Sequence, residues 1–99
     1  MSKWSKDARD RNEPLIVTVI DNFHVEHDYG ALGSGYDLIL YTCPIMLIEV
    51  KNPARKWKLT DAEKHRLMYC KERYIPYHIV EYSDQMADIL SAHFGRGGL

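Results

Sequence analysis

The sequence predicts an α/β domain with a mixed central sheet and elements in the order α-β-β-β-α-β-α. Three observations favour this class: an apolar stripe at helical spacing, then extended runs separated by glycine and proline turns, then a capping box ahead of a last extended run. A helix between the third and fourth strands implies a right-handed crossover. The fourth strand is therefore expected to lie parallel to the third.

The first helix is expected to begin at Asn12, which offers an N-cap, with Pro14 in its first turn. One helical face then carries Ile16, Val19, Ile20 and Phe23. The segment 15–20 is also rich in β-branched residues and fits a buried strand by propensity. Capping and spacing favour the helix, and the strand remains the alternative.

The next segments are extended. Residues 24–29 are expected to form a short strand before the glycine-rich turn 30–35, and residues 36–42 and 45–51 form a hairpin. Proline at the turn of this hairpin separates its two strands.

The second half returns to helical spacing. Thr60 and Glu63 form a capping box that begins a helix expected to run to about Tyr74. Residues 75–82 form the last strand, and Ser83 caps the final helix.

Length and composition fit one globular domain. The 99 residues, 45% hydrophobic and 27% charged, are expected to form a single domain over residues 12–94 between flexible tails 1–11 and 95–99. No apolar run approaches the ~18 residues of a membrane span, and no signal peptide is recognisable. A cytoplasmic location is expected, with Cys43 and Cys70 as reduced thiols.

The charge is unevenly distributed along the chain. The formal net charge is −1, yet residues 1–50 carry four Lys/Arg and eight Asp/Glu, residues 51–73 carry eight and three, and residues 74–99 carry one and three. A basic segment within an acidic chain indicates a surface for an anionic partner.

Two acidic residues and a lysine are expected to share one face of the hairpin. Glu49 and Lys51 are two residues apart on one strand, so both point to the same side. Asp37 joins them if it lies opposite Glu49, a register that leaves a three-residue loop, an allowed hairpin length. An acid–base ion pair near the end of the strand is the simpler alternative.

Converging carboxylates favour a divalent cation. Because oxygen-only ligands suit Mg²⁺ or Mn²⁺ better than zinc, Asp37 and Glu49 are candidate ligands for one of these ions. A lysine beside such an ion suits phosphodiester hydrolysis, since it stabilises negative charge on the phosphorane.

These residues resemble a known family. Gly35-Tyr36-Asp37 followed by Glu49-Val50-Lys51 resembles the signature of the PD-(D/E)XK nucleases. The continuation through residues 58–63, a helix and a strand at 77–80 is similar to small VRR-NUC domains and their Holliday-junction-resolvase-like relatives. The resemblance covers roughly residues 12–90 and implies a restriction-endonuclease-like core.

The resemblance also implies site roles. Asp37 and Glu49 would bind Mg²⁺ or Mn²⁺, with the backbone carbonyl of Val50 as a further ligand, and Lys51 would be the catalytic lysine. Glu13 would be the additional acidic ligand that these domains often have.

Two of these acidic residues can also be explained by helix stability alone. Glu63 stands where the family frequently has glutamine and would be a catalytic residue, but its capping box is a sufficient structural reason for it. Glu13 in the first turn of a helix is favoured by the helix dipole in any protein. In addition, Tyr36 replaces the proline of the motif.

The basic segment is expected to contact DNA phosphates next to this site. The residues assigned to it are Arg55, Lys56, Lys58, Lys64 and Arg66. A solvated helix face is the alternative. Trp57 within the segment is expected either to stack on an unpaired base or to pack against the sheet.

The sequence thus predicts a Mg²⁺- or Mn²⁺-dependent DNA endonuclease that is selective for branched or junction DNA, and a homodimer, because branched substrates present two scissile phosphates. The alternative is a nuclease-fold DNA-binding or scaffold module without catalysis. By family analogy a nuclease this small suits a phage, which would place it in the host cytoplasm.

Overall fold

The computed structural model describes residues 12–97, so the tail expected at 1–11 lies outside the described residues. Its elements follow the expected α-β-β-β-α-β-α order and form an α/β domain. They are α1 Glu13–Asn22, β1 His27–Tyr29, β2 Leu38–Leu40, β3 Met46–Val50, α2 Asp61–Glu72, β4 Tyr77–Val80 and α3 Ser83–Gly97.

The sheet is mixed and four-stranded, in the order β1-β2-β3-β4. β1, β2 and β3 are antiparallel neighbours, and β4 runs parallel to β3 after the α2 crossover, as the sequence predicts. Leu38 pairs with Ile48 and Leu40 with Met46. This is the predicted register for residues 38–40, and Asp37 lies immediately before the first of these pairs.

The segment 15–20 is helical, and its β-branched residues do not prevent it. Ile16 and Ile20 are fully buried one helical turn apart, so packing decides in favour of the helix. Asn12 does not cap the helix with its side chain. Its amide donates instead to the carbonyl oxygens of Lys51, at 3.1 Å, and Glu81, at 2.7 Å, and thereby ties the start of α1 to the ends of β3 and β4.

One face of the sheet packs against α1 and α3 and forms the main hydrophobic core. Alternate residues of the strands point to this face. With the buried residues of the helices and of the turn before β1 they form one cluster: Ile16, Ile20, Val25, Leu38, Leu40, Met46, Ile48, Val50, Val80, Met86 and Leu90.

The opposite face lies beneath α2 and contains different residues. Leu47 and Glu49 alternate with the core residues of β3 and are buried outside the main cluster, as is Cys70 of α2. Tyr74, where this helix was expected to end, is 91% exposed. The helix ends at Glu72, and the left-handed backbone of Tyr74 turns the chain away from the sheet.

Several element boundaries differ from those expected. β1 begins at His27 and not at His24, because His24 has a left-handed backbone and its amide closes a turn on Asp21. β2 and β3 are shorter than the predicted 36–42 and 45–51. α3 continues to Gly97 into the expected tail 95–99, since glycine lowers helix propensity without removing the backbone donor. None of the helices within residues 12–97 is long and apolar enough to cross a membrane.

Candidate active site

The glycine-rich turn before β2 is fixed against α2. Gly35 has φ +87, and a Cβ there would lie 2.5 Å from the Ala62 carbonyl oxygen and 2.7 Å from Cβ of Arg66. The hydroxyl of Tyr77 donates to the Gly35 carbonyl at 2.6 Å. Glycine is therefore required at this position both by the backbone angle and by the close approach of α2.

Asp37 follows this turn, immediately before β2, and is held there by two contacts with main-chain groups. Its amide donates to the Ile48 carbonyl at 2.9 Å, and its Oδ2 accepts a hydrogen bond from the Val50 amide at 2.7 Å. The carboxylate therefore lies beside the last residues of β3. Asp37 is also close enough to Glu49 for its negative charge to raise the pKa of that residue.

Lys51 lies between two glutamates. Its Nζ is 2.8 Å from Oε1 of Glu63 and 3.4 Å from Oε2 of Glu49. Its side chain is 12% exposed, and its main chain is fixed at both ends, by donation to the Val80 carbonyl and by acceptance from Asn12. The lysine predicted to be catalytic thus has a defined position on the same face as Glu49.

Glu63 has the capping role and also faces the site. The hydroxyl of Thr60 accepts from the Glu63 amide at 3.2 Å, and Glu63 Oε1 accepts from the Thr60 amide at 2.9 Å, which completes the predicted capping box. The same Oε1 accepts from Lys51. The carboxylate of Glu63 can therefore cap the helix and also take part in the site, the two roles that the sequence suggested.

The charges of this cluster shift its protonation. Burial, followed by the charge of Asp37 and a hydrogen bond and charge from Glu63, raises the pKa of Glu49 to about 9, against the lowering effect of Lys51. Burial also acts to raise the pKa of Glu63, but hydrogen bonds from Glu49, Lys51 and the Thr60 backbone outweigh it, so the pKa of Glu63 is lowered. Without a bound cation, Glu49 is therefore the more readily protonated of the two glutamates, and Glu63 is the more readily ionised.

The pKa values of Lys51 and Tyr77, which lie next to these glutamates, are also shifted. Burial acts to lower the pKa of Lys51, but its hydrogen bond to Glu63 and its attraction to Glu49 outweigh burial and raise the pKa. Burial and then the charges of Glu49 and Glu63 raise the pKa of Tyr77, which stays a hydrogen-bond donor to Gly35.

The donor set fits a hard divalent cation held by few protein ligands. Asp37 and Glu49 supply carboxylate oxygens, and the Val50 carbonyl points to the same side of β3 as the Val50 amide that contacts Asp37. Among residues 12–97, no group of three or more His, Cys, Asp or Glu side chains is arranged to hold a metal ion. Mg²⁺ is commonly held by one or two carboxylates and keeps several waters, so two carboxylates suffice for it.

Glu13 is buried at the start of α1, with 4% exposure. It follows Asn12, whose amide reaches the Lys51 carbonyl, so α1 begins near the site end of β3. The structure does not bring Glu13 into a three-residue ligand group, and its position in the first helical turn also suits the helix dipole.

Four of the five residues assigned to DNA contact are exposed: Arg55, Lys56, Lys58 and Lys64. The first three lie in the loop between β3 and α2, and the fourth is in the first turn of α2. The first three closely follow Lys51 in the chain and Lys64 follows Glu63, so these four exposed cations are called the basic margin.

Arg66, the fifth residue assigned to DNA contact, makes contacts within the fold. Its Nε donates to the Ser34 carbonyl at 3.0 Å, and its guanidinium lies over the rings of Tyr36 and Tyr69, at 5.7 and 5.1 Å from their centroids. The side chain holds the glycine-rich turn against α2. Its surface helical position gave no sign of this contact, because Ser34 is 32 residues away in sequence.

The contacts of four further residues near the site were not predicted from the sequence. Tyr77 could have been found, since its register with Leu47 places it on the Glu49 face. Asn12 and the pair Trp57–Glu81 could not, because their partners are 24 to 69 residues away and no local pattern marks them.

Comparison of the chain with protein-family models, with curated proteins and with solved structures finds no match.

Proposed function

We propose that the protein is a Mg²⁺- or Mn²⁺-dependent endonuclease that hydrolyses phosphodiester bonds in DNA, and that its sheet is the core of a small PD-(D/E)XK nuclease of the VRR-NUC type. One observation carries the proposal. Lys51 lies 3.4 Å from Glu49, and Asp37 accepts a hydrogen bond from the amide of Val50 and acts on Glu49 through its charge, so the three residues of the motif come together. A chance match of the motif would not require its three residues to meet.

The chemistry follows from the positions of these side chains. A cation held by Asp37 and Glu49 would lower the pKa of a bound water and polarise a phosphoryl oxygen. Lys51 stabilises the negative charge that develops on the phosphorane. Its ammonium has three donors, so contacts with Glu49 and Glu63 leave one for the substrate. Glu63 positions Lys51 and does not itself contact the phosphate.

The exposed basic residues suit the backbone of the substrate. Arg55, Lys56, Lys58 and Lys64 contact phosphates without reading base sequence. Because the whole chain carries a net charge of −1, its affinity for DNA is weak and falls as salt concentration rises. These features favour recognition of DNA structure over recognition of sequence, and branched or junction DNA is the proposed substrate.

Two companion proposals concern assembly and location. Cutting both strands of a branched substrate needs two sites, so the protein acts as a homodimer, which sedimentation at micromolar concentration with branched DNA would test; a monomer there contradicts it. The proposed location is the cytoplasm, or the host cytoplasm if a phage encodes the protein.

The decisive experiment compares branched, flapped and linear DNA in EDTA, Mg²⁺ and Mn²⁺. Cleavage is expected only with a metal, and Lys51→Met is expected to lower its rate by about 10²- to 10³-fold. Lys71→Met, an exposed lysine of α2, is the matched control and should cleave normally. Cleavage in EDTA, no cleavage under any condition, or an undiminished Lys51→Met rate would contradict the proposal.

A nuclease-fold DNA-binding or scaffold module without catalysis is the second candidate. The observation that favours it is that Lys51 is already paired with two glutamates while no three-residue ligand group is present within residues 12–97. Thermal stability in a Mn²⁺ titration separates the candidates. A nuclease should be stabilised by Mn²⁺ in a way that Asp37→Asn abolishes, whereas the inactive module should show no such dependence.

A further inference from the structure

Trp57 is held at the surface in the loop between β3 and α2. Its side chain is 40% exposed. Its indole Nε1 donates to Oε2 of Glu81 at 2.8 Å, and Nζ of Lys51 lies 5.9 Å from the centroid of its ring. A hydrogen bond at one edge and a cation beside the ring thus fix the indole in place.

This arrangement differs from ordinary packing of a tryptophan. Trp57 is not part of the main core cluster, and it belongs to neither a helix nor a strand. Its neighbours in sequence, Lys56 and Lys58, are exposed cations. The indole of Trp57 is thus a large, fixed aromatic surface with cations next to it. A flat, anionic ligand can stack on such a surface at little entropic cost.

A nucleotide is such a ligand, because its base is flat and its phosphate is negative. The base and the phosphate of one nucleotide lie only a few ångströms apart, so a base on Trp57 would place an adjoining phosphate near Lys51. In a duplex both faces of an internal base are covered by its neighbours. Only an unpaired base can therefore offer its face to the indole.

We propose that Trp57 is a stacking platform for one unpaired DNA base beside the cleavage site, an inference that rests on the proposed nuclease function. The platform gives the protein its preference for DNA structure. The basic margin holds any DNA backbone, whereas Trp57 distinguishes a strand that contains an unpaired nucleotide from a continuous duplex.

Tryptophan fluorescence in EDTA tests this without cleavage. The chain has two tryptophans, so Trp4→Phe leaves Trp57 as the only one. The probes are an oligothymidylate and a blunt duplex of equal length. We expect the single strand to quench Trp57 and the duplex to leave it nearly unchanged. Equal quenching by both probes, or quenching by neither, would overturn the inference.

Variants then separate stacking from charge and from folding. Trp57→Leu should weaken binding of the oligothymidylate roughly tenfold or more, with little change for the duplex, and Trp57→Phe should keep most of the affinity. Tyr74→Leu, which removes a 91% exposed aromatic ring at the end of α2, is the control and should bind normally. Equal losses for both probes, or an equal loss in Tyr74→Leu, would contradict a stacking role.

The hydrogen bond from Trp57 to Glu81 allows a second measurement in which the indole itself is unchanged. Glu81→Gln retains an acceptor for the indole N–H and should bind the single strand as well as the unaltered chain. Glu81→Ala releases the ring and should weaken that binding several-fold. If Glu81→Ala binds normally, the fixed orientation of the ring is unimportant and the platform is contradicted.

The two proposals fail in different ways. If Trp57 is quenched by the single strand but no DNA is cut with any metal, the platform stands as a binding site and the nuclease proposal fails. If DNA is cut with a metal but Trp57→Leu cuts flapped and linear DNA in the unaltered ratio, the nuclease stands and the platform fails.

Discussion

The two faces of the sheet bury different kinds of residue. The face beneath α1 and α3 holds a continuous apolar cluster that draws on both helices and on β2, β3 and β4. The face beneath α2 holds Glu49 at 4% exposure, beside Lys51 and Glu63. β3 serves both faces, since its five residues are all buried but alternate between them. One strand can therefore stabilise the fold on one side and carry costly charged groups on the other.

The largest expected effect comes from damaging the apolar face. Leu38→Ala removes a fully buried side chain from the main cluster and should lower the free energy of unfolding by about 2–5 kcal/mol. Leu47→Ala on the α2 face is the matched comparison and should cost less, because Leu47 lies outside that cluster. Urea denaturation measures both. Equal losses would show that the two faces contribute equally to stability.

The next effect tests the turn that positions Asp37. Gly35→Ala should cost about 2–4 kcal/mol, because the new Cβ meets the Ala62 carbonyl and the backbone is left-handed. Gly33→Ala is the matched control: its φ is +82 but nothing lies within 4 Å of the Cβ position, so it should cost only about 1 kcal/mol. Similar losses at both glycines would mean that the contact with α2 is unimportant.

An effect of opposite sign is expected on the charged face. Glu49→Gln should raise the free energy of unfolding by about 1–2 kcal/mol in EDTA at pH 8, because it removes a buried acid while keeping a donor for Glu63. The pKa of Glu49 is raised to about 9 in the fold, so the fold binds more protons than the unfolded chain. Its stability falls as pH rises from about 4.5 towards 9, and the variant should lack this fall.

The matched control for this variant is Glu72→Gln at the exposed end of α2, where little change in stability is expected. Denaturation curves at several pH values compare the three proteins. A loss of stability in Glu49→Gln at pH 8 would contradict the view that this face sacrifices stability for a charged site.

Much of the site was predictable because it depends on strand periodicity. The alternation of side chains fixed the common face of Glu49 and Lys51, and loop length selected the register that adds Asp37. The capping box likewise marked the start of α2. These relations are local, or they join two strands that are consecutive in the chain, and short-range rules describe both.

The contacts that sequence could not supply are those between distant segments. The sequence predicts Arg66 to be a surface cation. Only the packing of α2 against the glycine-rich segment directs its side chain towards Ser34. The sequence predicts Asn12 to be an N-cap. Because the ends of β3 and β4 lie close to it, its side-chain amide donates to their carbonyl oxygens instead. In both cases a side chain satisfies a carbonyl that becomes its neighbour only after the helices dock on the sheet.

The smallest expected effect tests a titratable group on the apolar side. His78 pairs with Ile48 and therefore shares its face, and burial lowers its pKa. At this residue the fold binds fewer protons than the unfolded chain. In the Glu49→Gln variant, which lacks the opposite effect of Glu49, stability should therefore fall as pH drops through about 6.5. Because His78 is only half-buried, solvent screening limits the loss to about 0.5 kcal/mol.

In the Glu49→Gln background, His78→Gln should flatten the stability profile between about pH 6.5 and 5, whereas His65→Gln on the exposed surface of α2 should leave it unchanged. Glu63 does not obscure this window, because its lowered pKa confines its contribution to pH values below about 4.5. Denaturation midpoints at half-unit pH steps measure the difference. If His65→Gln flattened the profile as much as His78→Gln, the acid sensitivity would belong to the surface and not to the apolar face.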